Sequence, residues 1–209
     1  MINARLLLRQ SKGLSSAEIV ADIVRANSQI ASVEVVSYRE GPNWNDLVGT
    51  IEGKSLAGLK QDEEVRTFFR LTRSEVLERG IQSLMDRLRG TLIGIVSRVN
   101  LSSNKAAHIP MMDFKCEISN ENLQTLIKML RSITIGPGYL LESGRSYHFF
   151  ATQLISEEEW RTFLGRCLLM SGYSDDRYIG HQLVDGHCVL RLSGGNLKER
   201  IPTVVAEIG

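Results

Sequence analysis

The sequence predicts an α+β fold in which helices cover one face of an antiparallel sheet and leave the other face open. Three observations carry this. Residues 107 to 193 run strand, helix, strand, strand, helix, strand, the order of a ferredoxin-like split βαβ unit. Both helical stretches of that run start at a serine cap and carry apolar residues at helical spacing. The stretch "HIPMMDFKCEI", 108–118, alternates with period two, so that its side chains sort onto two faces.

The elements follow in chain order. "ARLLLRQ" at 4–10 reads as a strand, and Ser15 with Glu18 has capping-box spacing ahead of Ile19, Ile23 and Ile30. "ASVEVVSYR" at 31–39 alternates as another strand. Residues 40–60 are glycine-rich and irregular, with "EGPNW" a turn. Asp62, Glu63 and Glu64 give the acidic start that a helix N-terminus favours, and helical pattern continues with a break near Ser74 to Arg89. Gly90 stops it. Residues 1–90 thus read as a smaller N-terminal α/β extension, and 91–209 as the main unit.

"TLIGIVSRV" then gives a strand and "NLSSNKAA" a polar connection. Strand 108–118 follows, and Ser119 caps a helix carrying Leu123, Leu126, Ile127 and Leu130 on one face. "GPG" at 136–138 breaks it. "YLLE" and "SYHFFATQLI" are strands about the turn "SGR". Ser156 and Glu159 form a second capping box, opening a helix with Trp160, Phe163, Leu164, Cys167 and Leu168. "RYIGHQLV", the turn "DG" and "HCVLRLS" read as a closing hairpin, since Asp-Gly is a strong hairpin signal. Ignoring that added hairpin strand, the first and third strands of the unit are expected as central neighbours, with the fourth, 187–193, flanking the first.

Composition narrows the function. The 209 residues are 43% hydrophobic and 23% charged, enough to bury a real core. Net charge is +1, so no bulk field gathers nucleic acid or a membrane surface. Cys116, Cys167 and Cys188 are far apart and form no CxxC pair, which argues against a zinc site or a disulfide framework. No apolar run reaches the ~20 residues of a membrane span. The N-terminal run is too short for a signal peptide, so a soluble cytoplasmic protein is the expectation.

Period-two sorting then gathers a polar set on the open face. Asp113, Lys115 and Glu117 share one side of 108–118. Ser146 and His148 share one side of the later strand, and His187, Arg191 and Ser193 one side of the last; Arg177 and His181 lie on one side of the hairpin strand, although Ile179 and Leu183 share it. Antiparallel sheets often face water with no function attached. A mixture of acid, imidazole and guanidinium is less ordinary than the Thr, Lys and Glu of a solvated face.

The segments "SGRSYHFF" and "VLRLSGGNLKERIP" resemble the archaeo-eukaryotic primase superfamily, over roughly residues 105–203. The resemblance implies an RRM-like βαββαβ palm, with an Asp-x-Asp or Asp-x-Glu motif on the first strand and a small-x-His motif on a later one. Ser146-Tyr147-His148 matches the second motif and Asp113 the first acid. Arg191-Leu192-Ser193-Gly194 with Lys198 resembles the last strand and its basic turn. Lys115 stands where the family has its second acid. Asp176 is the preferred third acid and Asp185 the second choice, since Asp185 is explained by the turn.

The resemblance implies catalytic roles for Asp113, His148 and Asp176, and Mg²⁺ or Mn²⁺ held by Asp113, Glu117 and Asp176. It implies a nucleotide phosphate contact from His148, to which Ser146 adds a hydroxyl and Lys115, Arg145, Arg191 and Lys198 are the candidate cationic contacts. Two-cation chemistry clamps the attacking and leaving oxygens, and magnesium takes oxygen ligands. An ammonium at position 115 removes one ligand and repels the cation. Glu117 lies ~6–7 Å further along a regular strand. The expectation is a primase-polymerase-like protein that binds a nucleoside triphosphate or nucleic acid, with Lys115 arguing against ordinary nucleotidyl transfer. The alternative is a non-catalytic RRM-like module for nucleic acid or protein. RRM sheets expose stacking aromatics, whereas Phe114, Tyr147 and Phe149 fall on the core side and only Phe150 is a candidate.

Overall fold

The structure is a computed structural model that describes residues 11–38, 66–88, 90–133, 136–195 and 200–209. The strand expected at 4–10, the glycine-rich 40–60 stretch and the acidic helix start at 62–64 lie outside the described residues. Helix α1 (Ser16–Ala26) begins at the expected capping box, with Ser15 and Glu18 bonded reciprocally. Its apolar stripe, Ile19, Val20, Ile23 and Val24, is fully buried. Strand β1 (Ile30–Tyr38) follows.

Residues 67–72 depart from the expected helical run. "TFFRLT" forms strand β2 (Thr67–Thr72), antiparallel to β1 with Ser37 opposite Thr67. Aromatic and β-branched side chains suit a pleated surface better than a helix. Thr72 then makes a capping box with Glu75 and starts α2 (Arg73–Glu78). Gly80, at φ 69°, turns the chain into α3 (Gly80–Arg87).

Strand β3 (Leu92–Leu101) is the spine of the first sheet. One edge pairs with β1. The other carries two short partners in tandem, β8 (Val189–Arg191) against Gly94–Val96 and β4 (Ala106–His108) against Arg98–Asn100. Gly94 allows this approach: a Cβ there would lie 2.7 Å from Val189 Cγ1 and 3.2 Å from the Leu190 carbonyl oxygen.

The expected strand 108–118 is two strands. Pro110 has no N–H to continue a ladder; β4 ends at His108, and β5 (Met111–Asp113) joins the second sheet. That sheet runs β5-β7-β6-β9, with β6 (Gly138–Glu142), β7 (Tyr147–Ala151) and β9 (Thr203–Ile208). Helices α4 (Asn120–Ile133) and α5 (Glu157–Leu168) stand where the caps at Ser119 and Ser156 put them. The first and third strands of the unit are neighbours, as expected. The fourth does not pair with the first: β8 hydrogen-bonds β3 in the other sheet.

The expected hairpin at 177–193 is also replaced. "DRYIGHQLVD" is helix α6 (Asp176–Asp185), capped by Asp175 and closed by Gly186 at φ 72°. A left-handed glycine after aspartate serves a helix C-terminus as well as a hairpin. Ile179 and Gln182, one turn apart, are the buried face.

The two sheets and their helices share one buried cluster, from Ile19 and Val33 to Phe149 and Trp160. The three cysteines are buried free thiols; burial pushes the thiols of Cys167 and Cys188 up, the latter to about 12. Among the described residues no helix is long and apolar enough to cross a membrane.

Candidate functional site

Antiparallel pairing of β5 with β7 places Asp113 directly opposite His148. The imidazole Nε2 lies 3.4 Å from Asp113 Oδ1, with the His148 side chain 5% exposed and the Asp113 side chain 34%. The first acid and the small-x-His imidazole therefore meet as the strand order predicts. Ser146 turns its hydroxyl the other way and donates to the Phe114 carbonyl. The Tyr147 phenol donates to the Ser119 carbonyl and accepts from the Ser119 amide, both at 3.0 Å. Ser146 and Tyr147 thus brace the segment that leaves β5.

That segment changes partners after Asp113. The Phe114 amide still donates to the Tyr147 carbonyl, but Lys115 donates its amide to the Tyr173 carbonyl at 2.8 Å, and Phe114 bridges Ser174. Lys115 is thereby carried away from β7 toward α6. Its Nζ lies 3.0 Å from Asp176 Oδ1 in the first turn of that helix. The Lys115 ammonium holds the Asp176 carboxyl below the usual carboxylate range. Asp185, the second choice for the third acid, pairs instead with Arg66 at 3.2 Å.

Two residues that sequence reasoning passed over belong to this wall. Asp175 caps α6 by accepting the amides of Arg177 and Tyr178. Tyr178 donates to the Val189 carbonyl at 3.4 Å, and its phenol is pushed well up by burial, with the nearby Cys188 and Asp113 adding to the effect. The signal was present as an aspartate ahead of a buried helical face, but the hairpin reading of 177–193 hid it.

Part of the polar set expected on an open face is buried instead. Ser146, His148, Arg191 and Ser193 are all buried, and so is every residue of β7. Strand β8 packs beside β5, and residues 173–174 pair with the chain that leaves it. Phe150 is fully buried and presents no stacking surface. The guanidinium of Arg191 donates to the carbonyls of Ser193, Arg200 and Ser143, joining β8 to the β6–β7 turn and to the start of β9. The Ser193 hydroxyl accepts the Ile93 amide. Both side chains brace the fold rather than line a surface. Arg145 and Glu117 are exposed, His181 is half-buried on α6, and half-buried His187 meets Phe68 edge to face. Lys198 lies outside the described residues.

The donor set does not suit a pair of divalent cations. Asp113 faces an imidazole, Asp176 is bound to an ammonium, and Glu117 lies beyond the end of β5. Among the described residues no group of three or more His, Cys, Asp or Glu is placed to hold a metal ion.

Neither a curated protein nor a solved structure matches the chain. The model of the family described as archaeo-eukaryotic primase 1D-like matches residues 72–203, a span that opens at the cap of α2 and closes at the first residue of β9. That span covers well over half of the chain and holds the Asp113–His148 pair with both of its flanking walls, and the chain belongs to the archaeo-eukaryotic primase-like family.

Proposed function

We propose that this primase-like protein binds a phosphate-bearing ligand, a nucleotide or nucleic acid, beside Asp113, Lys115 and His148 without carrying out two-metal nucleotidyl transfer. The observation behind this reading is the Lys115–Asp176 ion pair next to the Asp113–His148 pair. A site for two divalent cations needs several carboxylate oxygens turned to one point. Here one of the two nearest carboxylates is already neutralised by a lysine. What remains is an exposed ion pair whose lysine a phosphate can claim from Asp176, near a partly exposed acid–imidazole pair, and this supports phosphate recognition. The stacking mode of an RNA-binding sheet has no support, since Phe114, Tyr147, Phe149 and Phe150 are all buried.

The test titrates a nucleoside triphosphate with Mg²⁺ or Mn²⁺ against the wild-type chain, Asp113→Ala and His148→Ala, following affinity and primer extension. Binding without extension, lost in His148→Ala, is the expected result. Metal-dependent extension that disappears in Asp113→Ala would overturn the reading in favour of catalysis. No ligand binding at all would overturn it in favour of a structural role.

A further inference from the structure

Resting on the reading above, we propose that Lys115 is a metal-independent seat for the terminal phosphate of a nucleoside triphosphate, and that Asp176 blocks this seat until the phosphate displaces it. The two charged tips meet at 3.0 Å, and each is held from a fixed backbone. Lys115 is pinned by the hydrogen bond that its backbone amide donates to the Tyr173 carbonyl. Asp176 is the first residue of a ten-residue helix whose cap is satisfied by the Asp175 side chain. The tips themselves are open, with the lysine side chain 45% exposed and the aspartate 75%.

An exposed ion pair of this kind changes an equilibrium constant by no more than about fivefold. A stronger anion can therefore replace the carboxylate without unfolding anything. A terminal phosphate carries roughly two negative charges at neutral pH against one on the carboxylate. The N-terminus of α6 favours whichever anion sits there. The acids nearest to the pair in the chain are already engaged: Asp113 lies against His148, and Asp175 accepts two backbone amides.

The same features select a terminal phosphate over a polymer backbone. A backbone diester carries one charge, and polymer affinity comes from summing many cationic contacts. This chain has a net charge of +1. An ammonium also needs no carboxylate ligands, so the seat is compatible with a region where no group of three metal-binding side chains assembles among the described residues.

The experiment is isothermal titration of ATP into the full chain in excess chelator, with wild type, Asp176→Asn, Lys115→Ala and the double variant, each verified by circular dichroism. Asp176→Asn is expected to tighten binding by up to about fivefold, and Lys115→Ala to weaken it about tenfold or more. In the Lys115→Ala background, Asp176→Asn is expected to change nothing. Adding Mg²⁺ is expected to leave wild-type affinity within about twofold, and inorganic triphosphate to compete where an unphosphorylated oligonucleotide does not. Binding that requires Mg²⁺, an unchanged or weaker Asp176→Asn, or the same tightening without Lys115 would each overturn the proposal. An oligonucleotide competing as well as ATP would overturn the terminal-phosphate assignment. Wild type failing to bind with or without metal would overturn the functional reading itself, whereas binding indifferent to both residues would overturn the blocked seat alone.

Discussion

Replacing Arg191 by methionine separates a bracing role from a ligand-binding one. Arg191 is 4% exposed, and its guanidinium donates to three carbonyls, those of Ser143, Ser193 and Arg200, on three separate segments. A hydrogen bond from a charged donor contributes about 1.5–3 kcal/mol. Three at the low end give about 4–5 kcal/mol. Ser143 is only half-buried and Arg200 is exposed, so water can take over part of two of them. Losing the desolvated charge is a further offset. The expected net loss is therefore about 2–4 kcal/mol, or roughly 5–15 °C in Tm for a chain of this size. Arg191→Lys should fall between, because a compact ammonium keeps the charge but lacks the extended planar fork that reaches all three carbonyls. Urea unfolding with an unchanged m-value is the assay. A methionine variant within 1 kcal/mol of wild type, combined with lost nucleotide affinity, would refute the brace and return Arg191 to the ligand set the sequence suggested.

Two further perturbations probe the frame that holds the site. Gly138 lies between Ala151 of β7 and Ile208 of β9, and a Cβ there would stand 2.5 Å from the Phe150 carbonyl oxygen and 2.6 Å from the Phe149 ring. The carbonyl is ladder backbone and cannot step aside, so Gly138→Ala should cost about 3 kcal/mol in chemical denaturation; a loss below 1 kcal/mol would contradict so close an approach. His108 is 1% exposed, stacks on Trp160 at 4.7 Å, faces Ser97 through Nδ1 and meets Glu157 through Nε2 at 2.8 Å. Burial lowers its pKa from 6.5, against the opposing pull of Glu157. The unfolded chain then takes up the proton first as pH falls, so this contribution to stability is full above pH 6.5 and is lost below it, by at most about 1.4 kcal/mol per pH unit. Stability measured from pH 7.5 to 5 should fall more steeply for wild type than for His108→Gln, and parallel curves would show that the imidazole is not the titrating group.

What the sequence disclosed was the local chemistry. The capping boxes at Ser15 and Ser156 fix helix starts through bonds that span three residues, and both helices begin there. The same signal at Thr72 and Glu75 was masked by reading 67–72 as helix, although its aromatic and β-branched residues fit a strand. Asp185-Gly186 misled for a physical reason, because a positive φ at glycine satisfies two different chain reversals. The Asp113–His148 meeting was legible because strand order and register alone decide it. The burial of Arg191 was not, since it depends on β8 choosing β3 over β5, a pairing between residues about a hundred positions apart. Pro110 did mark the point where the chain passes from one sheet to the other, and it was the overlooked clue that 108–118 is not one continuous strand.

That divergence changes how the departure from the family motif is understood. On a regular strand, Lys115 would be one substitution beside an otherwise usable Asp113. Here the strand ends at Asp113, and Lys115 extends to the first turn of α6, where it binds the acid preferred as the third ligand. If Asp176 is that acid, one lysine removes two ligands, its own position and the partner it neutralises. Asp113 is then left with an imidazole as its near neighbour. In Lys115→Glu the ion pair would be replaced by two like charges facing each other. Lys115 and Asp176 are best understood together, as an ammonium and a carboxylate that meet at 3.0 Å and neutralise each other.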